Sequence, residues 1–446
     1  MEKNLTGKDK KDFLFIGFAL FAMFFGAGNL IFPPQLGVLS GTEWFSGFFS
    51  FFIMDAGLAT LGVFAMMKHE GNIELITSNI GKIPGKILAV VVMLCIGPCI
   101  AIPRTGTVTF SLGLVPITGI DAESTLSMAI FSIVFFAIVF VLSIKPSKVV
   151  DIIGKILTPV LLIFLVILII KGIVSPAGTV SDVISTTPIK EGVYQGYQTM
   201  DAMASLLFAG IIIMSVYDKG YKKGVSANRE VALSSVVSCV LLFVVYGGLT
   251  YLGATTGSAW VDEVNAGTID QAALLVNIVD ALMGKAGIVF VGIVVLFACL
   301  TTAIGLTTSI SEYFSEMNGN KIEYKTFALG ICIISALLCN IGLNEIINMA
   351  APILSLVYPL VIVLMILGLF KEQLKTRMTH FAGGILAFVI SAITVLVDTF
   401  EVSSLDWIHT LPLDEYGFNW LVPSLAAIVI ALVAEKSFAK SDDKSE

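Results

Sequence analysis

The chain has 446 residues, of which 57% are hydrophobic and only 13% are charged, whereas soluble domains carry about 25% charged residues. This composition excludes an assembly of soluble domains, because a surface so poor in charge would aggregate in water. The net charge of −7 says little about partners when charges lie on both sides of a bilayer, and the lack of a long basic run argues against a nucleic-acid partner. The composition predicts an all-α polytopic membrane protein surrounded by a lipid bilayer.

Twelve apolar stretches are long enough to cross the hydrocarbon layer as helices. In the first half of the chain they are residues 12–36, 44–67, 84–114, 124–143, 149–173 and 194–217. In the second half they are residues 228–253, 286–314, 324–341, 345–370, 379–397 and 417–434. No polar linker separates a soluble domain from these stretches, so we expect the whole chain to form one membrane-embedded unit.

The basic residues predict the orientation of these helices, since lysine and arginine concentrate on the cytoplasmic side of a membrane. With twelve spans, 22 of the 26 basic residues lie on the side of the two tails, residues 1–11 and 435–446, and 3 lie on the other side. We therefore predict that both tails are cytoplasmic. No small-residue cleavage site follows the first apolar stretch, which argues against a cleaved signal peptide.

The six cysteines lie inside apolar stretches, at positions 95, 99, 239, 299, 332 and 339. Disulfides and exposed metal sites are typical of cysteines in loops, so we expect neither here. The sequence predicts no resident cofactor.

The first predicted span contains several residues that weaken a helix near the middle of the membrane. Residues 26–29 read Gly-Ala-Gly-Asn, and prolines follow at positions 33 and 34. Glycine destabilises a helix interior and proline removes a backbone donor. An unwound turn here would expose carbonyls to a cation and would direct the N–H groups of the next half-helix at a carboxylate. The alternative is that the glycines allow close helix packing and the prolines end the span.

Arg104 lies within the third predicted span, next to Pro103 and after a Gly97-Pro98 pair. An ionisable residue inside a span indicates a functional site by default. Arg104 could pair with Asp55 or Asp201, the acids nearest to span interiors, or line an aqueous vestibule. The alternative is that the span is tilted and the guanidinium reaches an interface.

The sixth and eighth spans carry weaker signals. Around Ser205–Gly210 the sixth span is rich in small residues, which fits either a break or ordinary helix packing. In the eighth span, small and hydroxyl-bearing residues share one stripe at 100° per residue, and they are Ala298, Thr301, Thr302, Gly305 and Ser309. Hydroxyl and carbonyl oxygens suit a hard cation, but threonines also commonly bond back to the carbonyl four residues earlier.

The order of these features suggests an inverted repeat. Helices one to five, residues 12–173, would form the first half and helices six to ten, residues 194–370, the second, followed by two extra helices in residues 379–434. In such transporters the first helix of each half is broken and the substrate binds where the halves meet. Prolines at position 159 of the fifth span and at 352 and 359 of the tenth agree with this arrangement.

The motifs of the first and third spans resemble those of the bacterial branched-chain amino acid:cation symporter family, the BrnQ-type carriers. Residues 18–34, which read FALFAMFFGAGNLIFPP, are similar to the family's signature, and residues 96–98 and 101–105 are similar to its third-helix pattern. The resemblance covers essentially the whole chain. It implies membership of the amino acid–polyamine–organocation superfamily and the 5+5 inverted-repeat fold of the bacterial leucine transporter.

The same resemblance implies positions for the substrate and one sodium ion. The substrate carboxylate would meet the backbone of Gly26, Ala27, Gly28 and Asn29. Its ammonium would meet carbonyls of the sixth-span break, where the match around Ser205 to Gly210 is looser. Phe208 would belong to the apolar wall that takes the aliphatic side chain. The sodium ligands would be the carbonyls of Ala22, Phe25 and Ala298 and the hydroxyls of Thr301 and Thr302. A second sodium site in the leucine transporter needs a threonine where this chain has Met203, so a second ion is not expected.

The resulting hypothesis is a non-enzymatic symporter that imports leucine, isoleucine and valine by alternating access. The three histidines lie in loops or at span ends, which favours sodium over a proton relay, although Asp55 or Asp201 could carry a proton. A channel would show a repeated filter or a charged ring, and a membrane enzyme would show clustered catalytic side chains; neither pattern is present. A transporter-like amino acid sensor is the remaining alternative, although no cytoplasmic output domain is present.

Overall fold

A computed structural model describes residues 11–122, 124–144, 158–185, 187–374 and 377–442, with side chains described up to Glu435. Within these ranges the chain is helical and contains no strand. The first ten helices are α1 Asp12–Phe24, α2 Ala27–Ser40, α3 Trp44–Phe52, α4 Leu58–Lys68, α5 Ile73–Thr77, α6 Lys82–Leu94, α7 Ala101–Thr109, α8 Val115–Thr118, α9 Thr125–Ser143 and α10 Thr158–Val174. The others are α11 Pro188–Thr199, α12 Asp201–Asp218, α13 Val225–Thr255, α14 Val261–Asn265, α15 Gln271–Met317, α16 Tyr324–Cys339, α17 Leu343–Gly368, α18 Met378–Phe400 and α19 Leu421–Asp442.

The helices have the length and apolar character of an integral membrane protein. Among the described residues, eight helical stretches are long and apolar enough to cross a membrane, and four shorter apolar helices accompany them. Large apolar side chains such as Ile130, Ile133 and Leu337 are exposed on the outside, as expected where lipid replaces water. The number of twelve spans stays a prediction, and the start predicted for the fifth, residues 149–157, lies outside the described residues.

Several helical stretches are interrupted, and the interruptions differ in detail from those expected. The first stretch is broken at Phe25 and Gly26 alone, and α2 already includes Asn29. The expectation that the break extends to Asn29 is therefore wrong. The prolines at 33 and 34 do not end the span either, because α2 continues through them to Ser40. Both lie within α2, among helices that pack closely around it.

The third and sixth stretches are also broken. Gly97 leaves the helical conformation inside a π-helical turn between α6 and α7. In the sixth stretch, Met200 has a φ of 68° between α11 and α12, a left-handed conformation that costs a non-glycine residue about 1–3 kcal/mol. The sixth-span break is thus at Met200, before the Ser205–Gly210 segment in which the sequence suggested it.

The broken helices occupy the centre of the molecule. Helix α2 packs against α7, α11, α13 and α15, while α12 packs against α4 and α1. The contact of α2 with α13 is especially close at Gly37 and Gly253, where an added methyl group would meet backbone atoms of the other helix. This packing brings the break of the first stretch and the break of the sixth into one interior region. The assignment of the helices to two inverted halves stays a prediction.

Candidate functional site

The break between α1 and α2 leaves backbone groups without helical partners. Phe25 has ψ 85° and Gly26 is extended, and the Gly26 N–H donates to Asn29 Oδ1 at 3.1 Å instead of continuing the α1 pattern. The carbonyls at the end of α1 and the first N–H groups of α2 therefore lie on either side of a two-residue gap. Gly26 has a negative φ, so the break does not depend on the left-handed conformation that only glycine adopts easily.

Asn29 is the centre of a buried polar network. Its Nδ2 donates to Asp201 Oδ2 at 2.8 Å and to the Tyr246 hydroxyl at 2.5 Å, and lies 3.4 Å from Asp55 Oδ2. Thr199 donates its hydroxyl to Asp55 Oδ1 at 2.8 Å. The carboxyls of Asp55 and Asp201 are therefore both neighbours of the Asn29 amide. The network thus ties both broken stretches together, and the Asn29 amide is fully engaged with protein partners.

Arg104 binds the end of α11 at the second break. Its Nη1 donates to the Gln198 carbonyl at 2.5 Å and its Nη2 to the Thr199 carbonyl at 3.2 Å, and the guanidinium lies 5.6 Å from the centre of the Phe32 ring. The side chain is 3% exposed, so it does not reach an interface. No carboxylate of the described residues lies within ion-pair distance of it.

A small cavity lies between the two breaks. Its free volume is about 30 Å³, room for roughly one or two waters, and far below the ~300 Å³ at which pockets for small molecules begin. Five of the residues expected at the site line it, namely Gly26, Ala27, Asn29, Phe208 and Thr302. The other lining residues are Met23, Phe24, Ile96, Ala101, Arg104, Thr105, Thr199, Met200, Asp201, Ala204 and Leu306.

The expected cation ligands are only partly brought together. A methyl group added to Gly26 would lie 3.4 Å from Thr302 Oγ1, and this hydroxyl is buried without a hydrogen-bond partner among the described residues. Thr301 instead donates to the Ala298 carbonyl at 2.8 Å. Helix α1, which carries the Ala22 carbonyl and ends just before Phe25, packs against α15. Thr302 therefore faces the break, while Thr301 makes a local backbone bond as in the alternative interpretation, although to the carbonyl three residues earlier rather than four.

Three other expected substrate residues lie beside the cavity and do not line it. Ser205 donates to the Ala202 carbonyl at 2.6 Å and packs against Gly62 of α4. Its hydroxyl therefore points away from the central cavity. Gly210 contacts Gly71 and lines a separate vestibule. Gly28 lies within the first turn of α2, where an added methyl group would come within 2.9 Å of Arg104 Nη2.

The polar network includes residues that the sequence did not assign to the site. Nothing in the sequence marked Thr199 or Tyr246 as a site residue, because neither interrupts an apolar pattern. Asp55 and Asp201 did carry one, since acids are rare inside spans, but their proximity to each other depends on tertiary packing.

Two larger vestibules lie on either side of the central cavity. One of about 680 Å³ includes Leu207, Gly210 and Ser309, which follow cavity-lining residues along α12 and α15. The other, of about 500 Å³, includes Tyr197, Gln198 and Trp420. Thr302, Leu306 and Phe208 are within a turn or two of the first vestibule, and Thr199 adjoins the second. The central cavity thus lies between the two larger vestibules.

Comparison with known proteins identifies the family. The family model described as "Branched-chain amino acid transport protein" matches residues 9–438. The chain belongs to this family. It is 36% identical over 434 residues to the branched-chain amino acid permease BraB of Bacillus subtilis, covering 95% of each chain. It is 34% identical to the branched-chain amino acid transport system 2 carrier protein of Pseudomonas aeruginosa, covering 96% of this chain and 97% of that one.

A third relative and a solved structure extend the comparison. The chain is 32% identical to the branched-chain amino acid permease BrnQ of Escherichia coli K12, covering 96% of each. Its fold matches that of Mhp1, a nucleobase-cation-symport-1 family transporter in a closed conformation with bromovinylhydantoin bound. The TM-score is 0.61 at 12% identity, over 96% of this chain and 92% of that one. The protein is thus an integral membrane protein with a transporter fold, and its relatives are named permeases and carriers rather than enzymes.

Proposed function

We propose that the protein is a symporter that imports leucine, isoleucine and valine across the cytoplasmic membrane, driven by a cation gradient, with both tails in the cytoplasm. The observation that carries this proposal is the cavity between two helix breaks, in a chain whose relatives are branched-chain amino acid permeases. Free peptide N–H groups, carbonyls and a carboxylate around one cavity suit a zwitterion with an apolar side chain.

The substrate's two charged groups have complementary surroundings at the breaks. The carboxylate would accept hydrogen bonds from the N–H groups at the start of α2, where the helix dipole favours an anion. The ammonium was expected at carbonyls of the sixth-span break, and the carbonyls of Gln198 and Thr199, next to the observed break, bind Arg104 in this structure. We therefore assign the ammonium to the Asp201 carboxylate, which lines the same cavity.

The apolar part of the cavity would select the side chain. Phe208 packs against Phe24 with ring centres 5.8 Å apart, and Ile96 and Leu306 line the same wall. One methylene changes binding by only about 1–3 kcal/mol in such a pocket, so the three branched-chain amino acids should all be accepted. A charged side chain would lose its hydration without a partner and be rejected.

Transport would proceed by alternating access to the central cavity. The cavity is too small for leucine, so we interpret the structure as a closed state, and helices must separate towards one vestibule for the substrate to enter. One cation moving inward through roughly 100 mV supplies about 2.3 kcal/mol, enough for about 50-fold accumulation. We propose sodium as this cation, transported as a co-substrate at Thr302 and the carbonyl end of α1.

The proposed function can be tested with purified protein in liposomes, measuring labelled leucine uptake while sodium and pH gradients are imposed separately. We expect saturable uptake that requires an inward sodium gradient and is competed by isoleucine and valine but not by lysine. A sensor would bind leucine without uptake. A lack of leucine accumulation under both gradients would contradict the proposal.

Thr302→Ala is expected to raise the sodium concentration for half-maximal leucine uptake about 10-fold, because one hydroxyl ligand is worth about 1.4 kcal/mol. Thr301→Ala should have a smaller effect, since that hydroxyl is engaged with the Ala298 carbonyl. Thr307→Ala is the matched control, because Thr307 is buried on the same helix but outside the cavity lining. If Thr302→Ala needs the same sodium concentration as the wild type, Thr302 is not part of the cation site.

Coupling to protons is a second candidate, favoured by the position of Asp55 and Asp201 on either side of one amide group, that of Asn29. The two side chains are 0% and 4% exposed, and two buried carboxylates near each other repel strongly. A proton shared by the pair would remove this repulsion. Because Asn29 links the pair to α2, binding or release of this proton could accompany movement of the broken helices.

The second candidate predicts that a pH gradient alone drives leucine accumulation in sodium-free liposomes. Asp55→Asn should then abolish accumulation but retain exchange of internal for external leucine, since exchange needs no net proton movement. Asp262→Asn, at an exposed position in α14, is the control. Accumulation by the Asp55→Asn variant at the wild-type level would exclude the acid pair as the coupling site.

A further inference from the structure

Arg104 is a buried cation that makes no direct ion pair with the described residues around it. Its side chain is 3% exposed, and within the described part of the chain no carboxylate lies within 4 Å of the guanidinium. A buried charge is costly unless it is paired and its hydrogen bonds are made. Two carbonyls satisfy part of this requirement, but carbonyl dipoles do not supply a full negative charge.

The hydrogen-bonding capacity of the guanidinium is also incomplete. It has five N–H donors in a planar fork, of which one from Nη1 and one from Nη2 bind the α11 carbonyls. Nε is buried and has no partner among the described residues. The two carbonyls hold the group in place, so its remaining donors have a defined position.

The position of Arg104 relates it to the carboxylate end of the cavity. The side chain lines the cavity together with Gly26 and Ala27. Its Nη2 is also close to Gly28 in the first turn of α2, because a methyl group added there would lie 2.9 Å from it. The guanidinium and the N-terminus of α2 are therefore adjacent, and both attract an anion.

We propose that Arg104 binds the α-carboxylate of the transported amino acid, together with the N-terminus of α2. The proposal rests on the proposed function, and it assigns to this arginine the selection of substrates that carry a carboxylate. The incoming anion supplies a directly bonded countercharge and accepts hydrogen bonds from the unused donors. Arg104 remains attached to the α11 carbonyls, so substrate binding at α2 also joins the two broken stretches through one side chain.

The test compares leucine with leucinamide, which keeps the ammonium and the isobutyl group but has no negative charge. Binding of each is measured from ligand-induced thermal stabilisation of the purified protein, which depends on ligand concentration and dissociation constant. In the wild type, leucine should bind more tightly than leucinamide. In Arg104→Gln this preference should fall by about 10- to 100-fold, the range for losing a hydrogen bond to a charged group, while leucinamide affinity changes less than about threefold.

The controls separate this proposal from a structural role and from failure of the proposed function. A purely structural role for Arg104 would weaken both ligands equally, and a preserved preference would overturn the proposal. Arg229→Gln, at an exposed position, should behave as wild type. If Arg104→Gln does not fold, Arg104→Met decides, because methionine is a long unbranched side chain without the positive charge. A wild-type preference for leucine in Arg104→Met overturns the proposal. If wild-type protein binds no leucine, the proposed function fails and this proposal with it.

Discussion

Replacing Gly253 with leucine is expected to prevent formation of the native structure. A methyl group at this position would contact the carbonyl oxygen of Pro34 and lie 2.7 and 2.8 Å from two other backbone atoms of that residue. Backbone atoms within α2 cannot move aside as the end of a flexible side chain can, so the two helices would have to separate. Overpacking usually costs about 1–3 kcal/mol, and we expect a larger loss here because several helices pack against α2.

The measurement is the yield of monodisperse protein in detergent and its melting temperature. Gly253→Ala should melt at a lower temperature than wild type, although alanine favours a helix by about 1 kcal/mol over glycine. Gly330→Leu is the matched control, since Gly330 is also helical and has no other atom within 4 Å of an added methyl group. Equal stability of the two leucine variants would show that α2 and α13 do not approach as closely as described.

Asn29→Ala is expected to reduce leucine uptake about 100-fold while leaving a folded protein. The substitution removes the donor to Asp201 and Tyr246 and the acceptor for the Gly26 N–H. Each buried group left without a partner costs about 1–3 kcal/mol. The lost hydrogen bonds are those that connect the two breaks. The geometry of the cavity should therefore change more than the packing of the surrounding helices.

The measurement combines uptake in liposomes with the melting temperature of the purified variant. Asn340→Ala is the control, because Asn340 makes hydrogen bonds to Ser132 and the Ala336 carbonyl outside the cavity lining. We expect this control to lose stability but to keep most of its uptake. Normal uptake by Asn29→Ala would show that the network is not required for transport.

Local sequence features predicted the approximate region of a helix break more reliably than the residues at which the helix is broken. The first stretch is broken close to the Gly-Ala-Gly-Asn sequence, as expected, but only at Phe25 and Gly26. Asn29 remains helical because its side chain accepts from the Gly26 N–H and donates to Asp201, 172 residues later in the chain. A local cap and a distant partner therefore both hold Asn29 at the start of the helix.

The rotation of helices about their own axes was not evident from the sequence. Ser205 and Phe208 belong to the same expected group, yet Phe208 lines the cavity and Ser205 packs against α4. In the sixth span the small residues carried the signal, whereas the break lies at Met200 and the polar residues at the cavity are Thr199 and Asp201. Small residues report close packing as readily as a binding site.

The sequence by itself determined the helical fold class, the membrane environment, the family and the approximate position of the first break. The fold class and the environment follow from composition, because in lipid each segment must satisfy its own backbone hydrogen bonds. The family and the first break follow from short motifs. The tertiary structure alone decided that Asp55, Asp201, Asn29 and Tyr246 form one network and that Arg104 lies between both breaks. Such contacts join segments far apart in the chain, and they depend on helix rotation and packing that no local pattern encodes.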